Sequence, residues 1–141
     1  MSKLADIITD LVAKSAAVAG IGSTGILTDV GKMWAEETNP PAAYLGISAE
    51  RVEERPTRSM TATALLFWHV ITKADAPAAA FLPVYAALRK KVEDDPTLGG
   101  KARRAQVVGF DALNTAANIA RRTHVADVFI SVEYSTDRGT P

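Results

Sequence analysis

Gly20-Ile21-Gly22-Ser23-Thr24-Gly25 is the stretch whose residue types and spacing come nearest to chemistry, because it matches the dinucleotide fingerprint letter for letter. That chemistry needs a strand before the glycines and a helix after them, so that amides at the helix start meet a pyrophosphate. Ala16–Ala19 can be drawn as the strand, Ile26–Trp34 as the helix, and Glu50 stands roughly where a ribose-binding acid would. The residues before the glycines nevertheless carry helical periodicity, and no further βαβ units follow. Residues 18–40 are therefore expected to be a glycine-rich linker or arm. A small nucleotide-binding enzyme using Gly20–Gly25 is the alternative from a different functional class. No Gly-Lys-Ser or Gly-Lys-Thr phosphate loop occurs.

Other reactive residue types are sparse. Two histidines are present, His69 and His124, and there is no cysteine. A hydroxyl nucleophile would need one of these histidines as its base, held by a third group. His69, inside an apolar run beside Trp68, reads as an ordinary core or face histidine, and no Gly-x-Ser-x-Gly elbow accompanies either one. Glu36-Glu37, Glu53-Glu54 and Asp94-Asp95 are adjacent pairs rather than ligands at metal spacing. No catalytic residue, metal or cofactor is expected.

What remains is charge arranged for contact. Arg103-Arg104 and Arg121-Arg122 are solvated strand ends or, alternatively, bidentate partners for carboxylates on another subunit. Residues 50–58, with Arg51, Glu53, Glu54, Arg55 and Arg58, read as an exposed loop or the outer end of a long hairpin. Mixed signs there suit either plain solvation or a complementary rim that sets register with a neighbour.

The elements that must position these residues follow from hydrophobic periodicity. Leu4, Ile7, Ile8, Leu11, Val12 and Ser15 share one face of a helix over 3–17, which Ser2 can cap. Ala42–Ile47 is a short buried strand. In residues 60–71, Met60, Ala62, Ala64, Leu66, Trp68 and Val70 form one strand face. The other face, from Thr61 to Ile71, turns apolar partway, so cover on both sides is expected. Asp75-Ala76-Pro77 opens a second helix in which Phe81, Tyr85, Leu88 and Val92 recur, with Pro83 either kinking it or delaying its start. Ala102–Leu113 reads as a strand, and 114–122 as a connection or helical turn. Val128, Ile130, Val132 and Tyr134 mark the last strand, with 135–141 a flexible polar tail. The order helix, strand, strand, helix, strand, strand implies an α+β fold. It would be a single domain with a mostly antiparallel sheet of about four strands and two main helices on one face.

Composition narrows the partners. A chain of 141 residues with 48% hydrophobic side chains has enough for one core. Sixteen basic and sixteen acidic residues cancel, which offers no electrostatic footprint for nucleic acid and does not oppose self-association. No run reaches the ~18 apolar residues of a membrane span, and Asp6 stands where a secretory signal would be apolar. A soluble protein made inside the cell is the expectation.

Between the second helix and the strands after it lies Asp95-Pro96-Thr97-Leu98-Gly99-Gly100. Pro96 ends the helix, and Gly99-Gly100 can take positive φ for a tight reversal. With the helix before it, the strand after it, a final strand ending Val132-Glu133-Tyr134, and Pro41-Ala42-Ala43-Tyr44-Leu45 as an early strand, the chain resembles tail terminator (tail completion) proteins of long-tailed bacteriophages. The long segment between the first helix and Ala42 departs from that pattern.

The resemblance implies a structural protein of the virion, made in the bacterial host cytoplasm. Its partners would be further copies of itself in a closed ring, typically six-fold, the major tail tube protein, and a neck or head-completion protein. The ring would cap the head-proximal end of the tube, stop its polymerisation and present the head-attachment surface. Closed cyclic symmetry needs two different patches on each subunit. The 50–58 residues, the arginine doublets and the glycine-rich arm are the candidate patches, while Asp95, Pro96, Gly99 and Gly100 fix a turn. Another neck or head-completion ring protein is a sibling reading, and a plain dimeric interaction module a third.

Overall fold

Among the described residues a sheet of five strands carries two helices on one face. The computed structural model describes residues 3–26, 41–54, 59–73, 76–113 and 122–137. In chain order the elements are α1 (Lys3–Ala16), β1 (Ser23–Ile26), β2 (Ala42–Glu54), β3 (Ser59–Lys73), α2 (Pro77–Glu93), β4 (Arg104–Ala112) and β5 (Thr123–Asp137). Their order across the sheet is β1-β2-β3-β5-β4. Pairing is antiparallel except between β1 and β2. The fold is α+β, with one strand more than the sequence periodicity indicates.

That extra strand is β1. It lies inside the segment read as a linker, and pairs Ser23–Ile26 with Ala42–Leu45. Its four residues are too few to show an alternation, and Gly25 hides what little there is. The link is made by backbone: Gly22 N–H donates to Pro41 C=O at 2.7 Å where the two strands begin.

Two further boundaries differ from the sequence reading. Of the two readings of residues 50–58, Glu50–Glu54 follow the hairpin rather than the loop: they are the far half of β2, paired with Met60–Ala64 of β3. Ser135–Asp137 are not tail but strand, paired with Ser59–Thr61. Both stretches are polar, so composition reads them as loop, yet each is held by a long neighbour already in place. Pairing overrides propensity at the ends of long strands.

The core lies between sheet and helices. Ala62, Ala64, Leu66, Trp68 and Val70 of β3 are fully buried with Ala126, Val128, Ile130, Val132 and Tyr134 of β5. Ile7 and Leu11 of α1 and Phe81, Leu88 and Val92 of α2 close over them. Each such side chain contributes roughly 1.5–3 kcal/mol relative to exposure. That sum explains why α2 runs unbroken through Pro83, whose ring in a helix interior costs about 3 kcal/mol.

The opposite face is apolar only in its middle and at one end. Phe67 and Phe129 meet there with ring centroids 6.4 Å apart, and Ala42, Ile71 and Val125 form a small second cluster. Register places Gly46, Phe67, Phe129 and Gly109 side by side across β2, β3, β5 and β4. Gly46 has to be glycine, because a Cβ there would stand 2.4 Å from the Phe67 ring. Beside each glycine the register slips, between Ile47 and Ala49 and between Val107 and Gly109.

Candidate assembly surfaces and the turn at 95–100

The 95–100 turn is tied to three parts of the molecule. Asp95 Oδ1 accepts from Gly99 N–H at 3.0 Å, closing the loop on itself. Its Oδ2 accepts from Lys14 Nζ of α1 at 2.8 Å. Pro96 C=O accepts from Ala105 N–H of β4 at 2.7 Å, and Thr97 C=O from Gly100 N–H and Ala102 N–H. Leu98 is fully buried although its φ is +50°, and Gly99 and Gly100 continue at +66° and +91°. Burial of the Leu98 side chain offsets the ~1–2 kcal/mol cost of a left-handed leucine. The turn therefore does more than reverse the chain: it staples α1 to the start of β4.

Lys14 and Asp95 belong to an alternating chain of charges that adjacent-residue patterns do not reveal. Lys14 Nζ also lies 3.0 Å from Asp10 Oδ1, and Asp10 Oδ2 lies 3.2 Å from Lys101 Nζ. Burial alone would lower the Lys14 pKa, but its hydrogen bonds to Asp95 and Asp10 outweigh that and raise it. The bond from Lys14, then that from Gly99 N–H, holds the Asp95 carboxyl below the usual range. Two of the three pairs, Lys14–Asp95 and Lys101–Asp10, join residues 81 and 91 positions apart, so only the fold brings them together.

The candidate contact residues fall at separate places. Arg104 stands on edge strand β4, level with Glu133, Thr63 and Arg51 across the sheet. Arg103 Nη1 lies 3.8 Å from Glu133 Oε1, with both side chains about half exposed. Arg122 immediately precedes β5, at φ +56°. From Thr123 to Glu133 is ten residues of strand, on the order of 33 Å, so Arg104 and Arg122 belong to no single basic patch. Arg51 is exposed on β2, whose last residues are Glu53 and Glu54. Arg55, Arg58 and Arg121 lie outside the described residues.

The histidines are both structural in setting. His69 Nδ1 is 2.8 Å from Asp127 Oδ1, its register partner on β5. His124 is buried against Phe81, with ring centroids 4.8 Å apart, and its Nδ1 has no hydrogen-bond partner among the described residues. Burial lowers its pKa. Phe81, Tyr85 and Phe110 complete an aromatic cluster around it, with Phe110 4.9 Å from each of the other two.

The glycine fingerprint has the wrong surroundings for a dinucleotide. Helix α1 precedes it, and the glycines run into strand β1, whereas the chemistry needs strand, turn, helix. Among the described residues no group of His, Cys, Asp or Glu is arranged to hold a metal ion. No helix among them is long and apolar enough to cross a membrane.

No protein-family model matches the chain, and a search of curated proteins finds no match.

Proposed function

We propose that this protein is a structural component of a long-tailed phage, which caps the head-proximal end of the tail tube as a ring. The observation carrying the reading is the unit from α2 through the Asp95–Gly100 turn into β4, followed by a last strand whose Val132 and Tyr134 are fully buried. Those parts occur in the order of the tail terminator pattern, and the residues that carry the resemblance form one connected body. Capping is surface occupation: one face of the ring matches the last tube ring, and the other matches the neck rather than another tube subunit. No bond is made or broken, so the reading assigns no catalytic residue and no cofactor.

A ring needs two unlike contact surfaces per subunit. The sheet offers them, because its edges differ in length, charge and sequence. Another neck or head-completion ring would use the same surfaces against a different partner.

The test is growth of tail tubes from purified tube protein of the same phage, followed by light scattering and sedimentation. Substoichiometric addition of this protein is expected to shorten the tubes. Unchanged tube length would exclude termination and leave the other ring role.

A further inference from the structure

We propose that neighbouring copies join by sheet continuation, edge strand β4 of one copy pairing antiparallel with the outer half of β2 of the next. The inference rests on the ring reading and names the surface that closes it. On one side of the sheet β1 covers only Ala42–Leu45, so among the described residues the rest of β2, from Gly46 to Glu54, has no outer partner. Ile47 and Val52 on that stretch are 55% and 48% exposed. On the other side β4 is the edge, with Val108 and Phe110 at 52% and 39%. Bare edges with exposed apolar side chains are templates for another strand.

Strand direction and charge favour this pairing. β2 and β5 run one way, β3 and β4 the other. A copy generated by rotation about an axis roughly along the strands keeps those directions, so β4 meets β2 antiparallel, the more stable ladder. β1 blocks a level approach, so β4 must slide toward the far end of the β2–β3 hairpin. Such a stagger is what closing strands into a ring requires. The slide carries Val108 toward Val52 and brings Arg103-Arg104 to the far end of β2, which closes with Glu53 and Glu54. The Asp95–Gly100 turn sets where the ladder begins: Pro96 C=O already takes the Ala105 N–H, leaving the edge from Gln106 onward for the neighbour. A two-fold β4–β4 contact would leave Ile47 and Val52 bare.

The chain has no cysteine, so introduced thiols report without background. Val52→Cys with Val108→Cys, treated at high protein concentration with a short bis-maleimide, is expected to give a ladder of covalent oligomers ending at the ring size. Each single variant is expected to stay monomeric on a denaturing gel. Arg104→Glu should weaken assembly by on the order of tenfold, and Glu53→Arg in the same chain should restore it. Covalent dimers from Val108→Cys alone would overturn the proposal in favour of a two-fold contact. Rings seen by microscopy without the double-variant ladder would overturn it while sparing the ring reading. Neither rings nor ladder would end both, and a ladder from a protein that leaves tube growth untouched would keep this interface and remove the terminator role.

Discussion

Lys14 Nζ and Asp95 Oδ2 lie 2.8 Å apart, joining the last turn of α1 to the turn after α2 across a sequence separation of 81 residues. Through Pro96 the same turn holds the first outward amide of β4. One carboxylate thus connects helix, turn and edge strand.

Asp95→Ala is expected to destabilise the fold by about 1–2 kcal/mol, since it removes a charged acceptor from both Lys14 and Gly99 N–H on a partly exposed side chain. Asp95→Asn should lose less, keeping an acceptor for Gly99. Because the Asp95 carboxyl is depressed in the fold, its contribution is present above its ordinary pKa of 3.8 and is lost as pH falls through the lower folded value. Denaturant unfolding of wild type and Asp95→Asn from neutral to acid pH checks this. The two curves should converge in acid, and a constant gap would show that the carboxylate charge is not what matters.

Gly46→Ala puts a methyl 2.4 Å from the Phe67 ring, at an expected cost of about 1–3 kcal/mol. The cost should largely vanish in a Phe67→Leu background, giving a coupling energy of comparable size in a double-mutant cycle. An additive cycle would place the cost in the backbone instead.

His124 gives the fold an acid-side sensitivity. Its pKa is lowered by burial beside Phe81, so at mildly acid pH the unfolded chain binds a proton that the fold resists. Stability should therefore be full above the ordinary value of 6.5 and decline as pH falls from there to the lower folded pKa. His124→Phe should flatten that decline in thermal melts across the interval. An unchanged slope would assign it to another group.

Tyr134 separates packing from recognition. Its phenol is pushed up to about 12, first by burial and then by the Glu50 carboxylate, although Oη makes no hydrogen bond of ordinary geometry among the described residues. Tyr134→Phe should therefore leave the melting temperature unchanged or slightly higher. In wild type, stability should fall as pH rises above the usual tyrosine range toward the raised value. A large loss of stability in Tyr134→Phe would show that the hydroxyl is bonded after all.

How much of this was legible in the sequence depends on period and on distance. α1, α2, β3 and β5 each repeat an apolar residue often enough to declare both their type and their buried face. The Asp95–Gly100 turn was readable because Pro96 and the glycines act locally. β1 was not, because four residues around Gly25 carry no period and its stability comes from Ala42–Leu45. The polar ends of β2 and β5 looked like loop and tail because their pairing partners, not their own residues, hold them. In the Asp95–Lys14–Asp10–Lys101 chain, the links from Lys14 to Asp95 and from Asp10 to Lys101 were hidden by sequence distance. The arginine doublets looked equivalent as text, and the β5 register puts Arg104 and Arg122 about ten residues apart along that strand.

Negative-stain microscopy of the purified protein, alone and mixed with tail-tube protein, is the decisive measurement for the proposed ring. Closed rings, or tubes carrying an extra ring of density at one end only, are expected. Tubes with two bare ends, in a sample holding excess protein that shows no rings alone, would contradict the proposed ring.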